Sequence, residues 1–214
     1  MTAQQITRRS FLKVAGLTVA AATVACSGAG YAVMRSPAAI TPELTFGKEN
    51  TMNSHLLVAY ATRAGSTAEI AAAIGESLRQ RSFAVDVKPI KDKPSLTDYQ
   101  TIILGSAIRM GKWLPEATKF IEANQATLSQ LPVALFTVHM LNVGEDETSR
   151  AARLAYLTSI RPLLNGAEEV YFEGKMDLTR LSAFDRFIAK MVKAVDADRR
   201  DWGKIRAWVP ATLA

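Results

Sequence analysis

The sequence predicts an α/β fold, a three-layer sandwich in which a five-stranded parallel sheet carries helices on both faces. Three observations predict it. From residue 54 onward, short apolar runs alternate with segments of helical period. The central runs lack the in-and-out alternation of a sheet with one wet face, so they are strands buried on both sides. The first strand also ends in a turn whose composition suits an anion.

Residues 56–61 (Leu-Leu-Val-Ala-Tyr-Ala) are the first strand, and Ile70, Ala71, Ile74 and Leu78 give helical spacing to 67–80. Residues 84–90 alternate at Val85, Val87 and Pro89 and form the second strand; 101–105 form the third. Pro115 opens a helix over 115–123, since proline suits a first turn. Residues 133–138 are the fourth strand, and Asp146 and Thr148 are candidate caps for a helix reaching about residue 163. The fifth strand covers 167–172. A last helix over 183–195 aligns Phe184, Phe187, Ile188, Met191, Val192 and Val195 opposite Asp185, Arg186, Lys190 and Lys193. Parallel strands joined through helices imply right-handed crossovers.

Ahead of this domain (54–214) the chain reads as an address and a tether. Thr7-Arg8-Arg9-Ser10-Phe11-Leu12-Lys13 resembles a twin-arginine export signal, and residues 14–34 carry no charge, so 1–34 is read as signal and apolar anchor. Thr23-Val24-Ala25-Cys26 is similar to a lipoprotein cleavage box with Thr23 at the usual leucine, which makes Cys26 a candidate lipid anchor. Left uncleaved, the uncharged run at ~1.5 Å per residue spans roughly 30 Å, enough to cross a bilayer. Either route implies membrane association at the outer face of the cytoplasmic membrane, in the periplasm or elsewhere in the cell envelope. Residues 35–53, with Pro37, Pro42, Gly47, Asn50 and Asn53 and no apolar period, read as a linker.

Composition closes other routes. One cysteine and two histidines, His55 and His139, exclude an intrachain disulfide and a cysteine zinc site, and no metal is expected. The formal charge is +6, half of it from Arg8, Arg9 and Lys13, which leaves too weak an excess to imply nucleic acid.

The chemistry sits where the first strand stops. In Thr62-Arg63-Ala64-Gly65-Ser66-Thr67, successive backbone amides and a helix N-terminus can cradle an anion without lysine. Gly65 admits a conformation closed to side chains, and Thr62, Ser66 and Thr67 supply hydroxyl donors. Helix capping by Ser66 or Thr67 is the plainer alternative.

This loop resembles the flavodoxin phosphate motif T-x-T-G-x-T, with Ala64 in place of the middle threonine, so backbone or Arg63 must supply the missing hydrogen bond. The resemblance extends through element order over 55–195. It implies a flavodoxin-like sheet in the order 2-1-3-4-5 with FMN at its switch point. The flavin ring would then rest between Ser106-Ala107-Ile108-Arg109-Met110-Gly111-Lys112-Trp113 and Thr137-Val138-His139-Met140-Leu141-Asn142. More narrowly, the Thr-Arg-x-Gly-x-Thr loop, the Gly105-to-Gly111 turn and Asp185-Arg186-Phe187 resemble the menaquinone-dependent protoporphyrinogen dehydrogenases. That resemblance implies FMN-mediated oxidation of a porphyrinogen with delivery of the reducing equivalents to a quinone.

His139 and Arg109 are the candidate catalytic residues: a histidine at the mouth of the fourth strand suits proton carriage. Arg109 and Lys112 suit substrate propionates or an anionic reduced flavin. Trp113 suits either a ring face or core packing, and Trp202 and Trp208 lie in a basic tail that either folds back or meets an interface. His55 and the acidic turn Glu145-Asp146-Glu147 are read as structural. Three functions stay open: a membrane-associated FMN oxidoreductase acting between an organic donor and a quinone, an electron-transfer protein without its own substrate, and a non-enzymatic flavodoxin-like module. A porphyrinogen made inside the cell sits uneasily with export, so FMN is the firmer expectation. Oligomeric state is left open.

Overall fold

The computed structural model describes residues 41–47, 55–164, 166–180, 186–187, 196–208, 210 and 213. By its contacts the chain divides into two units, Met1–Pro37 with Leu181–Ala194, and Ala38–Arg180 with Val195–Ala214. The expected signal over 1–34 lies outside the described residues, as does the expected last helix over 183–195 apart from Arg186 and Phe187.

In chain order β1 (Leu44–Phe46) is followed by β2 (His55–Ala61), α1 (Ser66–Gln80) and β3 (Ala84–Pro89). Then β4 (Thr101–Arg109) turns back through β5 (Lys112–Trp113) into α2 (Pro115–Ala123) and the short α3 (Gln125–Leu128). Next come β6 (Val133–His139), α4 (Glu147–Ala155) and β7 (Glu168–Glu173), and finally the ribbon of β8 (Lys175–Met176) with β9 (Ala197–Asp198), and α5 (Trp202–Ala207).

The main sheet runs β1-β3-β2-β4-β6-β7. Its five long strands are parallel, and counted alone they stand in the expected order 2-1-3-4-5. On β2, Leu56, Val58 and Tyr60 pack with α1 residues Ile70, Ala71, Ile74 and Leu78. From the opposite face Leu57, Ala59 and Ala61 meet Ala117 and Ile121 of α2. A strand with no polar face needs this double cover, and the fully apolar run at 56–61 encodes it.

Two additions change the expected map. Residues 44–46, expected within a linker, form a strand antiparallel to β3 with Leu44 opposite Val87. The segment is drawn in by Tyr60, whose hydroxyl donates to the Pro42 carbonyl at 3.0 Å, and by Phe46, packed against the α1 core. The third strand also continues past Gly105 to Arg109, because residues 108 and 109 pair antiparallel with Trp113 and Lys112. Residues 106–109, expected as loop, are therefore strand.

The helix expected to reach residue 163 ends at Ala155. Beyond it the amides of Tyr156, Leu157 and Thr158 bond three residues back, and the tightened chain buries Leu157, Ile160 and Leu164. Cross-strand partners Gly105 and Phe136 fix the β4–β6 spacing: a Cβ on Gly105 would lie 1.8 Å from Phe136 Cζ. The basic tail folds back onto the domain. Ile205 of α5 is buried against α1, and Trp208 meets Phe172 edge-on at 5.9 Å while its indole N–H donates to Glu168 at 3.2 Å.

Candidate functional site

Four parallel strands end along one edge, and a single rung, Ala61–Ser106–Thr137–Tyr171, crosses them. The three segments singled out in the sequence therefore leave the sheet side by side. Between β2 and β4 the winding of the sheet reverses, which is where open α/β sheets form their ligand crevice.

In the first segment Thr62 Oγ1 accepts the Gly65 N–H at 3.0 Å and fixes the loop from within. Gly65 caps α1 at φ 97, ψ −20, a left-handed position costly to other residues. Its carbonyl accepts from the amides of Ala68 and Glu69 at 3.0 and 3.2 Å. The first amides of a helix have no intrahelical acceptor, so those of Ser66 and Thr67 stand at the positive end of α1, suited to an anion. Thr67 is fully buried, and its hydroxyl has no hydrogen-bond partner among the described residues. Such an orphan costs about 1–3 kcal/mol. Helical Cα–Cβ bonds lean toward the N-terminus, which tilts this hydroxyl toward the loop. An acceptor such as a phosphate oxygen would satisfy it, so the residues present fit a phosphate-bearing cofactor. Among the described residues no cluster of histidine, cysteine or carboxylates is built to hold a metal.

Arg63 does not fill the gap left by Ala64. Its guanidinium grips Glu116, at the start of α2, through contacts of 2.6 and 2.8 Å. The cation beside the loop is Arg180: its Nη1 lies 3.2 Å from the place a Cβ on Gly65 would take. Sequence reading missed it because only the folded chain brings residue 180 to residue 65.

The second segment divides into a structural part and a presented part. The buried Ser106 hydroxyl accepts the Leu114 N–H at 3.0 Å and donates to the Ala107 carbonyl at 2.9 Å. Ala107 and Ile108 pack against the core. Trp113 is buried too, and its indole N–H donates to Thr137 Oγ1 at 2.9 Å, tying β5 to β6. Between β4 and β5, Met110 and Gly111 both take positive φ, 52 and 75, as the tight hairpin turn matched to strand twist requires. Met110 holds that conformation while 88% exposed, and Arg109 and Lys112 face each other across the last rung.

In the third segment Thr137 and Val138 are buried, so backbone rather than side chain is available there. His139, the other catalytic candidate, is only 3% exposed. Its Nδ1 lies 2.8 Å from the Leu141 carbonyl, which makes it the donor, and its own carbonyl accepts the Gly174 N–H at 2.8 Å. Burial pushes its pKa down, with the hydrogen bond to Leu141 opposing in part. In this position the imidazole is a buried strut under the loop.

The same loop is held from outside by two residues that sequence reading passed over. Arg153 donates to the carbonyls of Asn142 and Gly144 at 2.7 and 2.5 Å. The Tyr156 hydroxyl accepts from the Asn142 amide at 2.7 Å and donates to the Leu141 carbonyl at 3.3 Å. Leu141 itself projects, 63% exposed. The edge thus consists of the Thr62–Thr67 loop and two braced segments, each presenting one bare apolar side chain.

Comparison with known proteins supplies a family for this arrangement. The flavodoxin domain profile matches residues 57–202. Protoporphyrinogen IX dehydrogenase (quinone) of Escherichia coli strain K12 is 22% identical over 151 residues, covering 69% of this chain and 83% of that protein. The Leishmania major protein of the same name is 27% identical over 153 residues, covering 68% of this chain and 64% of that protein. Among solved structures, oxidised flavodoxin 1 from Bacillus cereus aligns at 21% identity with a TM-score of 0.44, over 67% of this chain and all of that one.

Proposed function

The chain belongs to the flavodoxin domain family, and on that premise we propose that it is a membrane-associated, FMN-dependent oxidoreductase passing reducing equivalents from an organic donor to a quinone. Protoporphyrinogen IX is the first donor to test. The observation that carries the cofactor reading is the buried Thr67 hydroxyl behind Gly65 at the head of α1, unpartnered among the described residues.

FMN, when bound, supplies the hydride and single-electron chemistry; the protein supplies binding, orientation and electrostatics. Ser66 and Thr67 would offer hydroxyls and amides to its phosphate, while Thr62 keeps the loop in shape. Ser106 and Trp113 hold the β4–β5 hairpin to its neighbours, and His139, Arg153 and Tyr156 hold the facing loop. Met110 and Leu141 then shed water from the space between. Arg109 and Lys112, at the hairpin end, suit the propionates of a porphyrinogen.

The donor and acceptor classes are supported by the names of the two relatives. Export and membrane attachment are supported by Arg8-Arg9 and the uncharged run over 14–34. Among the described residues no helix is long and apolar enough to cross a membrane.

Purified full-length protein is tested first by absorbance and flavin fluorescence during titration with FMN. Stoichiometric uptake supports the cofactor, and a colourless protein that ignores FMN sinks it. Turnover of protoporphyrinogen IX with a menaquinone analogue then supports the enzyme reading, whereas reduction without turnover makes the chain an electron carrier. A reporter fusion that stays silent outside the membrane would overturn export.

A further inference from the structure

The phosphate loop carries no inward charge of its own, since Ala64 has none and Arg63 is held by Glu116. A cation nevertheless stands over it. Arg180 closes the 3-10 turn Leu178–Arg180, downstream of β8, and its Nη1 lies 3.2 Å from the position a Cβ on Gly65 would occupy. On its other side Nε lies 3.6 Å from the Asp177 carboxylate, and the side chain is 45% exposed. A guanidinium at the positive end of a helix is electrostatically misplaced unless an anion is shared between them. Next to it the buried Thr67 hydroxyl lacks an acceptor among the described residues. One oxyanion would answer both.

We propose that Arg180 is the cationic wall of the phosphate subsite, delivered by the segment after β8, and that it makes the site select phosphorylated flavin over riboflavin. The inference rests on the reading of this loop as a phosphate site. Arg180 pairs its planar fork with phosphate oxygens, while the α1 amides and the Ser66 and Thr67 hydroxyls take the remaining lone pairs. Glycine at 65 then has two causes: its left-handed φ and the room the guanidinium needs.

The test uses full-length protein and the variants Arg180→Gln and Arg180→Lys, each checked for an unchanged urea midpoint without ligand. FMN and riboflavin affinities are measured by fluorescence at low and high salt. Arg180→Gln is expected to weaken FMN about tenfold or more, to flatten its salt dependence, and to leave riboflavin unchanged. Arg180→Lys recovers part of the loss. Equal FMN affinity and equal salt slope in wild type and Arg180→Gln overturn the proposal. Should wild type bind neither flavin, the cofactor reading falls and inorganic phosphate decides alone. Phosphate-induced shifts of the Gly65 and Ser66 amide resonances that vanish in Arg180→Gln uphold the anion site, and their absence in wild type overturns it.

Discussion

Replacing Gly105 with alanine tests the packing that sets the site's edge. The added Cβ would stand 1.8, 2.1 and 2.4 Å from Cζ, Cε1 and Cε2 of Phe136. Apolar carbons rest about 3.5–4.0 Å apart, so the ring must retreat by roughly 1.5 Å or the strands must part. Phe136 is fully buried, and protein cores are packed too closely to receive a displaced ring without cost. Overpacking costs about 1–3 kcal/mol, and a clash with rigid ring atoms belongs at the upper end. Phe136→Ala alone should cost about 3–5 kcal/mol, much of it through the cavity. In the double variant the methyl group enters the space the ring has left, so its cost should match Phe136→Ala rather than the sum. Urea unfolding of the four proteins then yields a coupling of about 2–3 kcal/mol. Additivity within about 0.5 kcal/mol would show that the ring does not take the glycine's place, and the β4–β6 spacing would need another cause.

Thr67→Val keeps the shape and deletes the orphan hydroxyl, so it should stabilise the cofactor-free protein by about 1 kcal/mol while weakening FMN several-fold. Paired denaturation and titration check the opposed signs, and two changes of the same sign would contradict the assignment. Met110→Asn places a residue tolerant of positive φ in the hairpin turn and should add about 1 kcal/mol, read as a higher urea midpoint. His139 has a folded pKa below its unfolded value of about 6.5, so the unfolded chain takes up the proton first. Stability should therefore be intact above that value and fall as pH drops toward the folded pKa. Unfolding measured between pH 7.5 and 5 should show this limb in wild type and lose it in His139→Asn.

What the sequence disclosed, and what it withheld, divides by range along the chain. β2, β3, β6 and the start of β4 were readable because their burial is written in runs of neighbouring residues, β7 from its Val170-Tyr171-Phe172 centre although only Phe172 is buried, and 115–123 because Pro115 marks its first turn. β1 was not, since three residues at an edge depend on Tyr60 reaching Pro42, 18 positions away. The β4–β5 hairpin was hidden by methionine where asparagine would have announced the turn. Within the candidate site, the Thr62–Thr67 loop could be read as a local pattern, and its Gly65 takes the expected left-handed form. The engagement of Arg63 by Glu116 and the approach of Arg180 are products of folding, with no trace in either neighbourhood. His139 was read from its place at a strand end, which says nothing of the carbonyl waiting two residues on.

One contact made just after β9 ties together distant parts of the chain. Arg200 joins Glu69, in the first turn of α1, to Asp198 on β9, bridging 131 positions in the chain. Fragments cut short before residue 200 lose this bridge together with the buried Ile205, so they should unfold at a lower urea concentration than the full chain.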